Sequence, residues 1–166
     1  MSIADALLPE FDREMAGTRK TLERIPDDKL AWKAHPKSNT IGWVGSHLAN
    51  IVSWTIGTLT KDEWDIHPPG EAPFRTKPLE SRQEILDQFD ANVQAARAAI
   101  ESTSDEAFLK SWSLLVQGKP VITMPRIGII RTFVMNHSIH HRAYLCSYLR
   151  LNDIPVPGLY GLSGDE

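Results

Sequence analysis

Two of the chain's six histidines, His137 and His141, stand four residues apart in the run RIGIIRTFVMNHSIHHRAYLCSYLRLN, residues 126–152. The apolar residues Ile130, Val134, Tyr144 and Tyr148 fall at helical steps along it, and the two histidines complete the series. Positions i and i+4 lie one above the other on a helix face, so both imidazoles can reach one point in the space that the stripe faces. Two neutral rings on an apolar face need partners for their nitrogens, and a shared metal ion is one solution. Two separately hydrogen-bonded core histidines are the other, and the pair alone does not choose between them.

A third ligand would. A helix is predicted from an N-cap at Thr40 to about Leu59, with the inward stripe Val44, His47, Leu48, Ile51 and Thr55. His47 thus faces inward from a second helix. Three neutral imidazoles on two helices can hold a divalent metal and leave a coordination position open, the pattern of a catalytic and not of a closed structural site. Zinc and nickel lead; iron, manganese and cobalt also accept imidazole. The open position suits water or, better, a thiolate, whose pKa the metal lowers.

The remaining candidates carry less. His35 precedes a proline and reads as a surface residue; His67 lies in a proline-rich loop and reads as solvated. His140 is rotated by roughly 80° from the mean direction of the His137/His141 pair, which makes it a neighbour of the site or an interface residue. Asn50, one turn beyond His47, can hydrogen-bond a ligand or tie two helices together. Cys146, nine residues beyond His137, falls on the opposite helix face and reads as a packed small side chain. The sequence contains no HExxH, no Glu-x-x-His of the di-iron carboxylate bundles, no GxSxG and no glycine-rich phosphate loop.

These residues need a scaffold, and the pattern supplies an all-α one. A first helix spans about Ile3 to Arg24, with Leu7, Phe11, Met15, Thr18 and Leu22 at core spacing, Pro26 closing it and Gly17 as a weak point. Leu30 and Trp32 anchor the polar linker that follows. Residues 60–80 hold four prolines and no sustained period, a loop whose length suggests a cover over a site or a crossover, pinned by Trp64 and Phe74. A third helix opens on a capping box, Ser81 with Glu84, and presents Ile85, Phe89, Val93, Ala96 and Ile100. WSLLVQGKPVITM suggests a small β-hairpin turning at Gln117 to Pro120. The last helix begins after Pro125, and an apolar, proline- and glycine-rich tail ends the chain. The long linkers allow a four-helix bundle with crossover connections.

At 166 residues the chain reads as one domain, 1–166. A net charge of −3 and a pI near 6.1 provide no basic field for nucleic acid. Charges scattered through residues 1–25 exclude the apolar core of a signal peptide or membrane span, so a cytoplasmic protein without membrane partners is expected. The single cysteine permits no internal disulfide and agrees with a reducing compartment.

The inward histidine on the second helix, the HxxxH pair in NHSIHHR, the opening SNTIGWVGSHLANIVSW and the tail PVPGLYGLSGDE together resemble the DinB-like metal-binding four-helix bundles, over essentially the whole chain. By that resemblance His47, His137 and His141 match the family's metal triad, and a homodimer is expected. Characterised relatives include transferases and isomerases that use low-molecular-weight thiols such as mycothiol or bacillithiol; many members have no known activity. Two functions follow as expectations. One is a metal-dependent, thiol-using S-transferase or isomerase acting on a small molecule. The other is a non-catalytic, stress-associated metal-binding bundle whose ion ties two helices together. No residue stands out as a general acid or base.

Overall fold

The computed structural model describes all residues, Met1–Glu166. Three long helices carry the frame: α1, Ile3–Leu22, α2, Ile41–Thr60, and α3, Arg82–Ser102. Each starts on a hydroxyl that accepts from a free amide of the first turn, as helix N-termini require. Ser2 Oγ accepts from Asp5 N, Thr40 Oγ1 from Trp43 N and Ser81 Oγ from Glu84 N. The Glu84 carboxylate accepts from Glu80 N, one residue before the cap. The predicted stripes of α1 and α2 are buried throughout, and α3 buries Ile85, Phe89, Ala96 and Ile100. Helix α1 ends at Leu22, and a 3₁₀ turn at Asp27–Lys29 leads into α2, with Leu30 and Trp32 packed against the core.

The fourth long helical stretch is composite. A turn of helix, α5, Arg126–Ile129, runs into a π-helical segment, Ile130–Asn136, and then into the regular helix α6, His137–Arg150. Arg126 fastens its start. This buried guanidinium donates to the carbonyls of Leu59 and Lys61 at 3.0 and 3.1 Å and to Asp62 at 2.8 Å, so a cation occupies the carbonyl end of α2.

The molecule is not wholly helical. After α3 comes a short helix, α4, Asp105–Leu109, and then the expected hairpin. Its strands are β2, Ser111–Val116, and β3, Lys119–Pro125, with Gln117 and Gly118 at φ 55° and 71°, the positive dihedrals that tight two-residue hairpins demand. The proline-rich stretch after α2, expected to lack structure, supplies a third strand, β1, Glu63–Asp65, which pairs parallel to β2 in the order β1-β2-β3. Three residues are too few to show a period-2 pattern. No helix is long and apolar enough to cross a membrane.

Candidate metal centre

The imidazoles of His47, His137 and His141 converge. Their potential ligand nitrogens all lie within 4.8 Å of one another, and Nε2 of His137 and Nε2 of His141 are 2.9 Å apart. Helix α2 brings the first ring and α6 the other two. The ring centroids of His47 stand 5.1 Å from His137 and 4.6 Å from His141.

Local packing fixes the His47 ring. The Trp43 indole, one turn before His47, stacks on it at 4.5 Å with 23° between the planes, and Trp54 packs edge-on against it at 5.7 Å. Nδ1 of His47 is hydrogen-bonded to Thr76 Oγ1 at 2.8 Å, which turns Nε2 toward the other two rings. Thr76 belongs to the long segment between β1 and α3, and Leu79 N donates to Ser46 Oγ at 2.8 Å from the same segment. The segment is therefore a strap over the site. Trp64 and Phe74 pin it as expected, with ring centroids 5.0 Å apart, although Phe74 stays 45% exposed.

Burial sets the electrostatics. It disfavours the charged imidazolium, and the neighbouring rings add to the effect, so His47 is pushed down to about 3 and His141 to about 4; burial lowers His137 as well. All three rings are neutral at pH 7 and present lone pairs. The donor set fits a divalent ion. Two nitrogens each bound at about 2.0–2.1 Å stand roughly 2.9–3.4 Å apart for bond angles between square and tetrahedral, and the His137/His141 pair is already at the lower limit. Thr76 supplies the outer hydrogen bond that metal-ligating histidines usually have.

The triad stands where two hollows approach each other. His47 and His137 wall a cavity of about 460 Å³ whose other lining is dominated by Trp43, Trp54, Trp64, Phe74, Trp112 and Phe133. On the other side of His141 lies a smaller, polar hollow of about 270 Å³ that includes Lys37, Ser38, His140 and Tyr144. Asn39 lines both. Neither lining contains an aspartate or glutamate.

The other candidates fall outside the triad. His35 is exposed, its Nδ1 accepting from Lys37 N, and His67 is half-buried and bonded through its backbone alone, its N–H donating to Asp65 Oδ1 and its carbonyl accepting from Gln117 N. His140 packs edge-on against His141 and Tyr144 at 5.1 and 4.9 Å, as a neighbour of the site. The Asn50 amide nitrogen is buried without a partner, and the residue lines neither hollow. Cys146 faces α1, its Sγ 3.9 Å from Thr21 Oγ1, and burial pushes its thiol pKa up.

One expectation about the last helix needs correction. The helical spacing puts Tyr144 in the buried stripe, yet it is 48% exposed. The buried seam of α6 is Ser138, Arg142, Leu145 and Leu149, with Tyr148 beside it. Val134 lies inside the π-helical segment, whose wider turns break the α-helical phase carried from Ile130. The histidines therefore occupy the flank of α6 facing α2, not its centre.

The sequence matches the family model of the DinB superfamily over residues 10–145. The chain belongs to the DinB superfamily. A relative, the uncharacterized protein YrdA of Bacillus subtilis strain 168, is 24% identical over 163 residues, covering 98% of this chain and 90% of YrdA. A crystal structure of a DinB-like protein from Bacillus cereus ATCC 10987 superposes with a TM-score of 0.72 at 21% identity, over 96% of this chain and 98% of that one. YfiT from Bacillus subtilis, described as a probable metal-dependent hydrolase with an unusual four-helix bundle topology, superposes with a TM-score of 0.68 at 17% identity, over 90% and 87% of the two chains. The DinB bundle, with long connections between its helices, is thus the fold of this chain.

Proposed function

We propose that the protein is a metal-dependent enzyme that transfers the sulfur of a low-molecular-weight thiol to an electrophilic small molecule, with His47, His137 and His141 as the metal ligands. The observation that carries this reading is a cluster of three neutral imidazoles, two of which, His47 and His137, wall an aromatic cavity whose lining contains no carboxylate. A divalent ion held by three such rings, with a position free, lowers the pKa of a thiol that takes that position. A nucleophile that ionises in this way needs no carboxylate base, and the protein offers none there.

The chain's own residues supply position and dryness. Thr76 and Trp43 fix the His47 ring; the aromatic walls exclude water and confine the electrophile; the polar hollow beside His141 suits the hydrophilic body of a thiol. In the overall reaction sulfur bonds to the electrophilic carbon, the leaving group departs with its bonding pair, and the thiol proton passes to solvent. Hydrolysis, the activity suggested for YfiT, would use water in place of the thiol. The thiol is favoured here because a second, polar hollow adjoins the triad.

The test is turnover of monobromobimane with a panel of small thiols, before and after metal removal and reloading with zinc or nickel. Metal-dependent conjugation, abolished in His141→Ala while the circular dichroism spectrum stays native, is expected. An unaffected His141→Ala variant would overturn the assignment.

A further inference from the structure

His47 and His137 of the triad form part of the wall of the 460 Å³ cavity; the remainder has its own chemistry. Six aromatic side chains line it, four of them tryptophans, and a single formal charge, Arg75, stands among them. None of the protein's salt bridges involves Arg75, whereas Arg19, Arg97, Arg126, Arg131, Arg142 and Arg150 are each paired with a carboxylate. The strap places this cation between two residues already engaged with the site. Phe74 packs on Trp64 in the aromatic wall, and Thr76 is hydrogen-bonded to His47.

We infer that the cavity selects flat, apolar molecules carrying one anionic group, such as aromatic carboxylates, with the ring among the tryptophans and the carboxylate on Arg75. A guanidinium matches a carboxylate in a bidentate, charge-assisted pair. Arg75 is exposed to solvent, so the pair is sensitive to salt, and no acidic side chain in the lining competes for the cation. No carboxylate on these walls would pair with a cationic molecule. This assignment deepens the proposed function by naming the class of its electrophile, and it rests on that reading for the site's purpose. Binding itself requires neither thiol nor metal.

The experiment is calorimetric titration of the full-length, chelator-treated protein with 2-naphthoate and with its neutral analogue 2-naphthylmethanol. Working without metal removes direct ligation of the carboxylate as an explanation. The wild-type protein is expected to bind the acid about tenfold more tightly than the alcohol. Arg75→Gln is expected to bring the ratio close to one while leaving the alcohol's affinity unchanged, and raised salt should weaken the acid alone. Lys77→Gln, two residues along the strap and outside the lining, should leave the ratio intact. Equal wild-type affinities, or a preference that survives Arg75→Gln, would overturn the inference. A second measurement separates it from the function proposed above: if naphthoate binds through Arg75 but no thiol is transferred to any electrophile with metal present, the cavity assignment stands and the transferase reading falls. If transfer occurs with equal efficiency on 4-(bromomethyl)benzoate and 4-methylbenzyl bromide, and Arg75→Gln changes neither, the transferase reading stands and the cavity assignment falls.

Discussion

His47 is held from two directions, by the face of Trp43 and by the hydroxyl of Thr76. The hydroxyl matters because an imidazole that keeps its proton on Nδ1 has its lone pair on Nε2, the nitrogen turned toward the other two rings. Replacing Thr76 with valine keeps the volume and removes the acceptor. Outer partners of this kind are worth about 10- to 100-fold in metal affinity. Thr76→Val is therefore expected to bind zinc about tenfold or more weakly in a competition titration against a chromophoric chelator, at unchanged stoichiometry. Affinity equal to the wild type would show that the hydrogen bond does not orient the ring. Thr76 also marks the limit of what the sequence reveals at this scale. His137 and His141 announce themselves by a spacing of four, and His47 by its place in an apolar stripe. Thr76 lies 29 residues beyond His47 in a segment with no period, so nothing local connects the two. The tryptophans left a compositional trace instead: the chain has five, and four of them line one cavity.

Helix α6 buries a polar seam, and this hid the orientation of the element. Ser138 and Arg142 occupy core positions that hydropathy reads as exposed, whereas Tyr144, which it reads as buried, faces solvent. Arg142 can be buried because α1 was shaped for it. Its Nη2 donates to Glu14 Oε2 at 2.7 Å and to Tyr160 Oη at 2.6 Å, and its Nη1 donates to the Glu14 carbonyl at 2.9 Å. Tyr160 Oη in turn donates to Glu14 at 2.8 Å, drawing the C-terminal tail into the network. Gly17, a weak point by helix propensity alone, makes room: a Cβ there would stand 2.9 Å from Arg142 Nη1. Removing one member of a buried pair strands the other, at a cost of about 3–5 kcal/mol. For a chain of this length each kcal/mol moves the melting temperature by roughly 2–4 °C. Arg142→Met is accordingly expected to melt about 10 °C lower by calorimetry, while Glu14→Gln with Arg142→Met together should recover part of the loss. A single variant as stable as the wild type would mean that the network is already solvated. The long helices were legible because each repeats its apolar signal over several turns and begins on a hydroxyl cap. The π-helical segment and the three-residue β1 were not, because their placement follows from contacts with distant elements; the five-residue α4 has its own cap in Ser104 but is too short to repeat an apolar period.

The triad joins parts of the molecule that the chain keeps far apart, since α2 and α6 are separated by α3, the strap and the sheet. An ion bound by His47 together with His137 and His141 therefore adds a crosslink to the folded state that the unfolded chain lacks, and binding energy becomes folding energy. At a free concentration 100 times the dissociation constant the gain is about 2.7 kcal/mol, or about 5–10 °C in melting temperature for a protein of this size. Without the ion, the same rings make the fold sensitive to acid. His47 and His141 sit at about 3 and about 4 in the folded state, against 6.5 ordinarily. Between pH 6.5 and those values the unfolded chain takes up protons that the folded rings refuse, so their contribution is complete above pH 6.5 and is lost as pH falls toward 3. Most carboxylates titrate below pH 5, which leaves the interval from 6.5 to 5 to the histidines. Chelator-treated protein is expected to lose melting temperature steadily across that interval, and His47→Ala with His141→Ala should flatten the slope whatever it does to the absolute stability. Zinc or nickel at pH 7 should raise the melting temperature of the wild type by the stated amount and leave that double variant where it was. An equal rise in both proteins would place the ion elsewhere, and a wild type indifferent to zinc, nickel, cobalt, manganese and iron alike would leave three neutral histidines packed together with no ion to bind them.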